Sequence, residues 1–509
     1  MCSKEKRMKY VITAEEMKRA DEATMQFYGV PSCVLMERAA LKVRETIRRI
    51  TPEACGILIV CGTGNNGGDG MALARMLVQD GDRVDLVLAG DRKKASEEAA
   101  RQLSILDAYG IPVLDTIPEG TYDWVVDAIF GISLSRDVGG TYAQLVTQMN
   151  ALGGRKLAVD ISTGIAADTG QIMGVAFRAD YTVTMAYAKY GQLLYPGRLY
   201  TGELIIAQIG ITDESFRMQM PAGCFYEPGD LSRIPARRPD TNKGSYGKLL
   251  SVTGSENMAG AAYFASLAAY RTGAGLVYIE TPEVNRAILQ TLLPEAVLYT
   301  YWSGSAARLR DHAQGMTAAI CGCGIGTGDD SRSVLLTLLR YTDLPLVLDA
   351  DALNLIAADE RISEAACAYP GAKILTPHVG EAARLLHCQI SEIKADPIAA
   401  AQMIAASYGC ICVLKDAVTV ICDADRICLN TSGSNAMSKG GSGDVLTGVI
   451  GALLAQGADP WTASSVGVYL HGLAGEKISE RTGSYSLLAR ELADGITEIL
   501  REVGDGYVS

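Results

Sequence analysis

The sequence predicts an α/β protein of two domains, each built on a mostly parallel sheet with helices on both faces. Three observations predict it. Short apolar runs alternate with segments of helical period along the whole chain. Run after run ends in a turn bearing glycine, aspartate or asparagine, the chemistry of strands that feed helices. Residues 212–240 carry Pro221, Pro228, Pro235 and Pro239 without a hydrophobic period and divide the 509 residues near position 220. The expected domains are therefore 1–220 and 221–509, since so long a chain exceeds one ordinary core.

Composition narrows the function classes. An apolar fraction of 48% with 20% charged residues is globular rather than disordered. A net charge of −12 and a pI near 5.0 argue against nucleic acid or an anionic membrane as partner, so any phosphate ligand must be met by local donors. No apolar run reaches the length of a membrane span. The start, MCSKEKRMKY, has basic residues but no apolar core of a secretory signal, so a cytoplasmic protein is expected. The 13 cysteines include no C-x-x-C, and the close pairs Cys321/Cys323 and Cys410/Cys412 are C-x-C. Buried thiols in a reducing compartment are expected, not disulfides or zinc.

In the first half, residues 13–28 and 33–50 read as helices, the second with Leu35, Met36, Ala39, Ala40, Val43 and Ile47 on one face. A strand at 57–60 leads into CGTGNNGGDG (61–70) and a helix over 71–78. Strand, glycine-rich loop and helix together seat a phosphate on backbone amides. Gly62, Gly64 and Gly67 satisfy G-x-G-x-x-G, and Asp91 closes the next apolar run, 84–89, which on its own spells a dinucleotide-binding dehydrogenase. Asn65, Asn66 and Asp69 argue against stopping there. An anion at a helix N-terminus gains roughly 0.3–1 kcal/mol, and Asp69 is placed to take that stabilisation itself. Further strands at 124–129, 157–161 and 181–186 end in Asp127 and Gly131, in Asp160 and Thr163, and before Lys189-Tyr190-Gly191. In a parallel sheet the loops after strand ends share one rim, where ligands bind. A cap or turn explains any one of these polar residues. It does not explain two amides, three carboxylates and a hydroxyl on one rim.

The second half opens with a strand at 248–253, a loop at 254–260 and a helix over 261–271. Strands at 318–321, 344–348 and 374–376 run into Gly322–Gly326 turn residues, into Asp349, Asp351 and Asn354, and into Pro377, His378 and Glu381. A hairpin-like pair, 411–414 and 419–422, flanks Lys415, Asp416 and Ala417. Last comes MSKGGSGD (437–444), directly before an apolar helix over 445–455. Gly440, Gly441 and Gly443 there turn several amides toward one point, an anion hole for a phosphoryl group. Asp444 stands where a carboxylate can take a proton from an attacking hydroxyl. No G-x-x-x-x-G-K-[ST] occurs, so this is not a P-loop protein. Of the four histidines, His378 reads as ligand-facing and His471, on an apolar helix, as core.

These motifs carry two resemblances. CGTGNNGGDG, VVDAIFGISLSR and AVDISTGIAADTG, in that order and spacing, resemble the NAD(P)H-hydrate epimerase family over about residues 13–211. The resemblance implies a Rossmann-like three-layer domain, an isomerase that interconverts the R and S hydrates of NADH and NADPH. It implies that Asn65, Asn66, Gly67, Gly68 and Asp69, with Gly131, Ile132, Ser133, Leu134, Ser135, Arg136 and Asp137, hold the hydrated dinucleotide. Asp160 would then lie at the modified ring as the catalytic residue, and Asn66, Asp127 and Thr163 would hold a potassium ion. The family has Asp-x-Pro-Ser-Gly where this chain has Asp160-Ile-Ser-Thr163-Gly164; the hydroxyl is kept and the proline lost.

GAAYFASLAAYRTGAG, VLDADALN, LTPHVGEAARLL and MSKGGSGDVLTGVI resemble the ADP-dependent NAD(P)H-hydrate dehydratases, members of the ribokinase-like superfamily, over about residues 239–500. That family's chemistry implies a lyase that phosphorylates the hydrate at the expense of ADP and then eliminates phosphate, leaving AMP. Ala259, Gly322, His378 and Asp444 would line the hydrate site, with Asp444 as catalytic base. Lys415, Asp416, Ala417, Val418, Thr419 and Gly443 would hold the nucleotide, and Glu381 would lie near its Mg2+. Val379 and Asn242 stand where the family has proline and histidine. Taken together, the resemblances imply a bifunctional enzyme of nicotinamide nucleotide repair, a homo-oligomer acting on small molecules. The alternative is a ribokinase-like small-molecule kinase with a non-catalytic N-terminal nucleotide-binding module.

Overall fold

The computed structural model describes residues 9–301 and 308–506; the amino-terminal segment read for a secretory signal lies largely outside them. The chain divides into two compact units, Lys9–Cys224 and the residues from Phe225 onward.

The strands of the first unit are β1 (Lys9–Ile12), β2 (Gly56–Cys61), β3 (Arg83–Leu88), β4 (Val113–Leu114), β5 (Trp124–Ala128), β6 (Arg155–Val159), β7 (Tyr181–Met185), β8 (Ala188–Lys189) and β9 (Glu203–Ala207). Seven of them form a sheet in the order β4-β3-β2-β5-β6-β7-β9, parallel throughout. Successive side chains of a strand point to opposite faces, and those of β2 enter two separate cores. Ile57, Ile59 and Cys61 join one with Leu35, Ala39, Met71 and Leu73. Leu58 and Val60 join the other with Leu145, Val146 and Met149. A strand buried on both faces must be apolar throughout, as GILIVC is. The strand order reverses between β2 and β5, and such a switch point opens a crevice beyond the strand ends.

The glycine-rich stretch differs from its expected form. Helix Asn65–Gln79 begins directly after Gly64, several residues before Met71. A Cβ on Gly67 would stand 1.9 Å from the Gly62 carbonyl oxygen, and one on Gly70 would stand 2.5 Å from Ala128 Cβ. These glycines let the helix lie close against the strand ends. Having no side chain, they give no hydrophobic period, which is why the helix was legible only from Met71. Asp69 consequently sits a turn inside the helix, beyond the first turn where the terminal dipole acts, so it does not take that N-terminal stabilisation.

After the short strand β10 (Gly223–Phe225), the second unit contains β11 (Lys248–Val252), β12 (Leu276–Pro282), β13 (Val297–Tyr301), β14 (Ala318–Cys321), β15 (Leu346–Leu348), β16 (Lys373–Leu375), β17 (Ile411–Leu414), β18 (Thr419–Cys422) and β19 (Ile427–Asn430). Their order is β13-β12-β11-β14-β15-β16-β17-β18-β19, parallel as far as β17 and antiparallel in the last two pairings. The expected hairpin is thus β17 and β18, with Lys415–Val418 as its turn residues. Helix Ser442–Ala455 packs on helix Ala259–Thr272, where a Cβ on Gly448 would fall 2.0 Å from the Ala265 carbonyl oxygen. The aperiodic stretch 212–240 holds β10 and the 3-10 helices Asp213–Phe216 and Pro228–Arg233. Among the described residues all cysteines are free, and no helix is long and apolar enough to cross a membrane.

Candidate active sites

A cavity of 1020 Å³ lies at the switch point of the first unit. Asn65, Asn66, Asp69, Gly131, Ile132, Ser133, Leu134, Ser135, Arg136, Asp137 and Asp160 all line it. Gly67 and Gly68 are buried behind it, in the packing of the helix. Asp127, at the end of β5, is wholly buried. Its Oδ1 accepts from the Thr163 hydroxyl at 2.8 Å and the Ile129 amide at 3.1 Å, and its Oδ2 from the Thr163 amide at 2.7 Å. Burial pushes the Asp127 carboxyl up to about 6, against the pull of those hydrogen bonds. Both polar atoms of the Asn66 side chain are buried without a hydrogen-bond partner. A buried amide left unpaired is uncommon and calls for an explanation. Gly131 brings Asn66 and Asp160 close: a Cβ there would lie 3.4 Å from Asn66 Cβ and 3.5 Å from Asp160 Oδ2.

Asp160 follows β6 with φ of 66°, a left-handed conformation that non-glycine residues adopt only when their surroundings enforce it. Its carbonyl accepts from Gln192 Nε2 at 2.6 Å, and its Oδ1 accepts from the Lys189 ammonium at 2.6 Å. Asp21, from helix Ala14–Gln26, and Asp69 face the same carboxylate. Burial first and the Asp160 charge second hold both above the usual carboxylate range.

The second unit gathers its polar residues at the C-terminal ends of β14 to β17 and the start of helix Ser442–Ala455. Asp349 follows β15 and is buried. Its Oδ1 accepts from Lys415 Nζ at 2.6 Å and its Oδ2 from the Thr447 hydroxyl at 2.7 Å. Ala350 at φ 48° and ψ −115° turns the chain so that Asp351 Oδ2 accepts from the Gly326 amide at 2.8 Å. Burial disfavours the Lys415 charge, but Asp349 and Glu381 outweigh it and hold the ammonium above its usual range. A Cβ on Gly443 would stand 3.5 Å from that ammonium, so the glycine keeps the helix N-terminus close to it. Asp444, in the first helical turn, is pushed up to about 6 by burial and then by Asp349, with Lys415 opposing.

The remaining candidates take different places. His378 caps helix Val379–Leu385: its Nδ1 accepts from the Gly380 and Glu381 amides at 2.9 and 3.3 Å, and its own amide donates to Glu381 Oε2 at 2.8 Å. Its side chain is 55% exposed. Burial, then Lys415 and Arg384, lower its proton affinity, in keeping with a ring nitrogen that accepts. Burial pushes Glu381 up to about 7. Ala259 opens helix Ala259–Thr272, and Gly322 passes so close to the Asp349 carbonyl that a Cβ would lie 1.8 Å from it. Asp416 and Ala417 are exposed at the hairpin tip, while Val418 and Thr419 are buried. His471 is buried in helix Pro460–Ser486, and burial pushes it down to about 4.

Residues 249–498 match the family model described as NAD(P)H-hydrate dehydratase, and residues 32–191 match the YjeF-related protein N-terminus. The bifunctional NAD(P)H-hydrate repair enzyme Nnr of Moorella thermoacetica is 35% identical, over 97% of this chain and 97% of its own. The chain belongs to the bifunctional NAD(P)H-hydrate repair enzyme family. A relative of the same name from Escherichia coli K12 is 33% identical over 97% of this chain and 94% of its own. A ribokinase-like superfamily protein from Enterococcus faecalis V583 is 26% identical and superposes with a TM-score of 0.50 on 55% of this chain and 96% of its own. Within this repair-enzyme family, then, the chain pairs a Rossmann-like first unit with a ribokinase-like second one, as expected from its motifs. Three residues of the two sites carried no such signal: Asp21, Lys189 and Thr447. Lys189 alone left a trace, as a single charge after the apolar run of β7.

Proposed function

We propose that the chain repairs hydrated NADH and NADPH in two steps, one in each unit. The first unit epimerises the R and S hydrates; the second dehydrates the S epimer at the expense of ADP. The observation that carries this reading is Asp444, a carboxylate at the glycine-rich start of a helix beside the Lys415 ammonium. Hydroxide is a poor leaving group and phosphate a good one. Asp444 takes the proton of the ring hydroxyl as that oxygen attacks the terminal phosphoryl group of ADP. The amides at Gly441 to Gly443 and Lys415 meet the charge in transit, AMP leaves, and elimination of phosphate restores the ring. His378, Gly322 and Ala259 would line the hydrate side, and Lys415 to Thr419 with Gly443 the nucleotide side. Mg2+ arriving with ADP needs only one or two protein carboxylates, and Glu381 offers one. It would supply positive charge against the phosphates.

In the first unit Asp160 would handle the proton at the modified ring, with residues 65–69 and 131–137 around the dinucleotide. An amide oxygen, a carboxylate and a hydroxyl form an all-oxygen set suited to a hard cation. The partnerless amide of Asn66, close to Gly131 on the rim that also bears Asp127 and Thr163, supports a potassium ion there, which would supply fixed positive charge at the rim. We read the protein as a cytoplasmic homo-oligomer acting on small molecules; its net charge of −12 disfavours nucleic acid and anionic membrane.

The test is direct. Purified protein given S hydrate and ADP should release NADH, AMP and phosphate; a stable phosphorylated product without NADH would make it a kinase. Asp444 must be ionised to act as base, so the dehydration rate should rise with pH through about 6 and level off above it. Asp444→Asn should lower that rate by about 10²–10⁴-fold.

A further inference from the structure

Lys189 ends β8 and is 0% exposed. Its ammonium donates to Asp160 Oδ1 at 2.6 Å, to the Thr184 hydroxyl at 2.8 Å and to the Met185 carbonyl at 3.1 Å. Three donors meet three acceptors, a complete set for this side chain. A wholly buried ammonium costs stability unless paired, and an apolar side chain of similar size would fill the position more cheaply. Asp160 is held just as fully on one side. Its Oδ1 also accepts from the Thr184 hydroxyl and the Met185 amide, each at 3.3 Å. Oδ2 lies instead on the side of Gly131 and the cavity.

We propose that Lys189 is a positioning residue for epimerisation: it fixes one oxygen of Asp160 in the cavity wall, leaving the other oxygen to take and return a proton at the substrate. The proposal rests on the epimerase reading of the first unit. Three carboxylates, Asp21, Asp69 and Asp160, meet here from three elements, and of these Asp160 alone accepts from the ammonium. Without Lys189 the Oδ1 side of Asp160 keeps only its two longer hydrogen bonds, each at 3.3 Å, and the carboxylate is free to turn away from the position that faces the substrate.

The experiment tracks R-to-S conversion by the full chain, with dehydration of the S epimer as an internal control of the second unit. Lys189→Met should lower kcat by about 10²-fold or more while KM stays within about threefold. Thr184→Val, which keeps the ammonium but removes the hydroxyl shared with Asp160, should lower kcat the same way by a smaller factor with KM again held. Wild-type kcat in Lys189→Met, or a loss carried by KM with kcat unchanged, overturns the proposal. Should Lys189→Met fail to fold by circular dichroism, Thr184→Val decides, and an unchanged kcat there overturns it. If the unaltered protein converts no R hydrate, the epimerase reading falls and this proposal falls with it.

Discussion

Asn66 and Asp127 show what a single residue reveals only in its surroundings. In the sequence Asn66 is half of an Asn-Gly pair, a common turn former; in the structure its amide is buried without a partner. If potassium satisfies it, the ion binds the folded unit alone and stabilises it by mass action, about 2.7 kcal/mol at 100 times the dissociation constant. Each kcal/mol is worth about 2–4 °C for a unit of this size. Replacing N-methylglucamine with potassium chloride at constant ionic strength should therefore raise the unfolding midpoint of the first unit by several degrees. Asn66→Ala should remove that rise; equal effects in the two proteins would count against the ion. Short polar side chains that follow apolar runs, such as Asn66, Asp160 and Asp349, were legible because an amide or carboxylate after such a run is conspicuous. Thr447 was not, since a threonine within an apolar helix gains meaning only from the carboxylate it touches.

The elements were legible wherever side chains recorded a period, and shifted wherever glycine erased it. Helix Asn65–Gln79 lost its first turns to that erasure, while Ile411–Leu414 and Thr419–Cys422 came through intact because strand residues announce themselves by branching and burial. The same reasoning separates glycines by position. Gly448 faces the Ala265 carbonyl, so Gly448→Ala should force the two helices apart and destabilise the second unit by about 1–3 kcal/mol. Gly260 meets nothing closer than Phe264 at 3.8 Å, so Gly260→Ala should be neutral or stabilising by up to about 1 kcal/mol. Urea unfolding of the two variants checks the contrast, and equal midpoints would mean that the helix contact yields without cost.

At the scale of the whole molecule, the two units carry complementary halves of one task. An R epimer is useless to a dehydratase selective for S, so recovery from a mixture depends on both sites. Asp160→Asn should leave the S fraction converting at the ordinary rate and then stall with R hydrate unused, slow spontaneous epimerisation apart. Full recovery by that variant at wild-type rate would remove Asp160 from the chemistry. That both units are mostly parallel sheets with polar rims was legible from the rhythm of runs and turns; which residues of a rim touch one another was not, because it depends on strand order. Asp160 and Ala350 are each held in a left-handed conformation beside their own sites. Such residues cost about 1–3 kcal/mol apiece, and the rest of each unit must impose them. Selection for a sturdier protein would favour relaxing these two positions, and selection for repair would resist it. The ceiling on this chain's thermostability is thus set in part where its carboxylates are aimed.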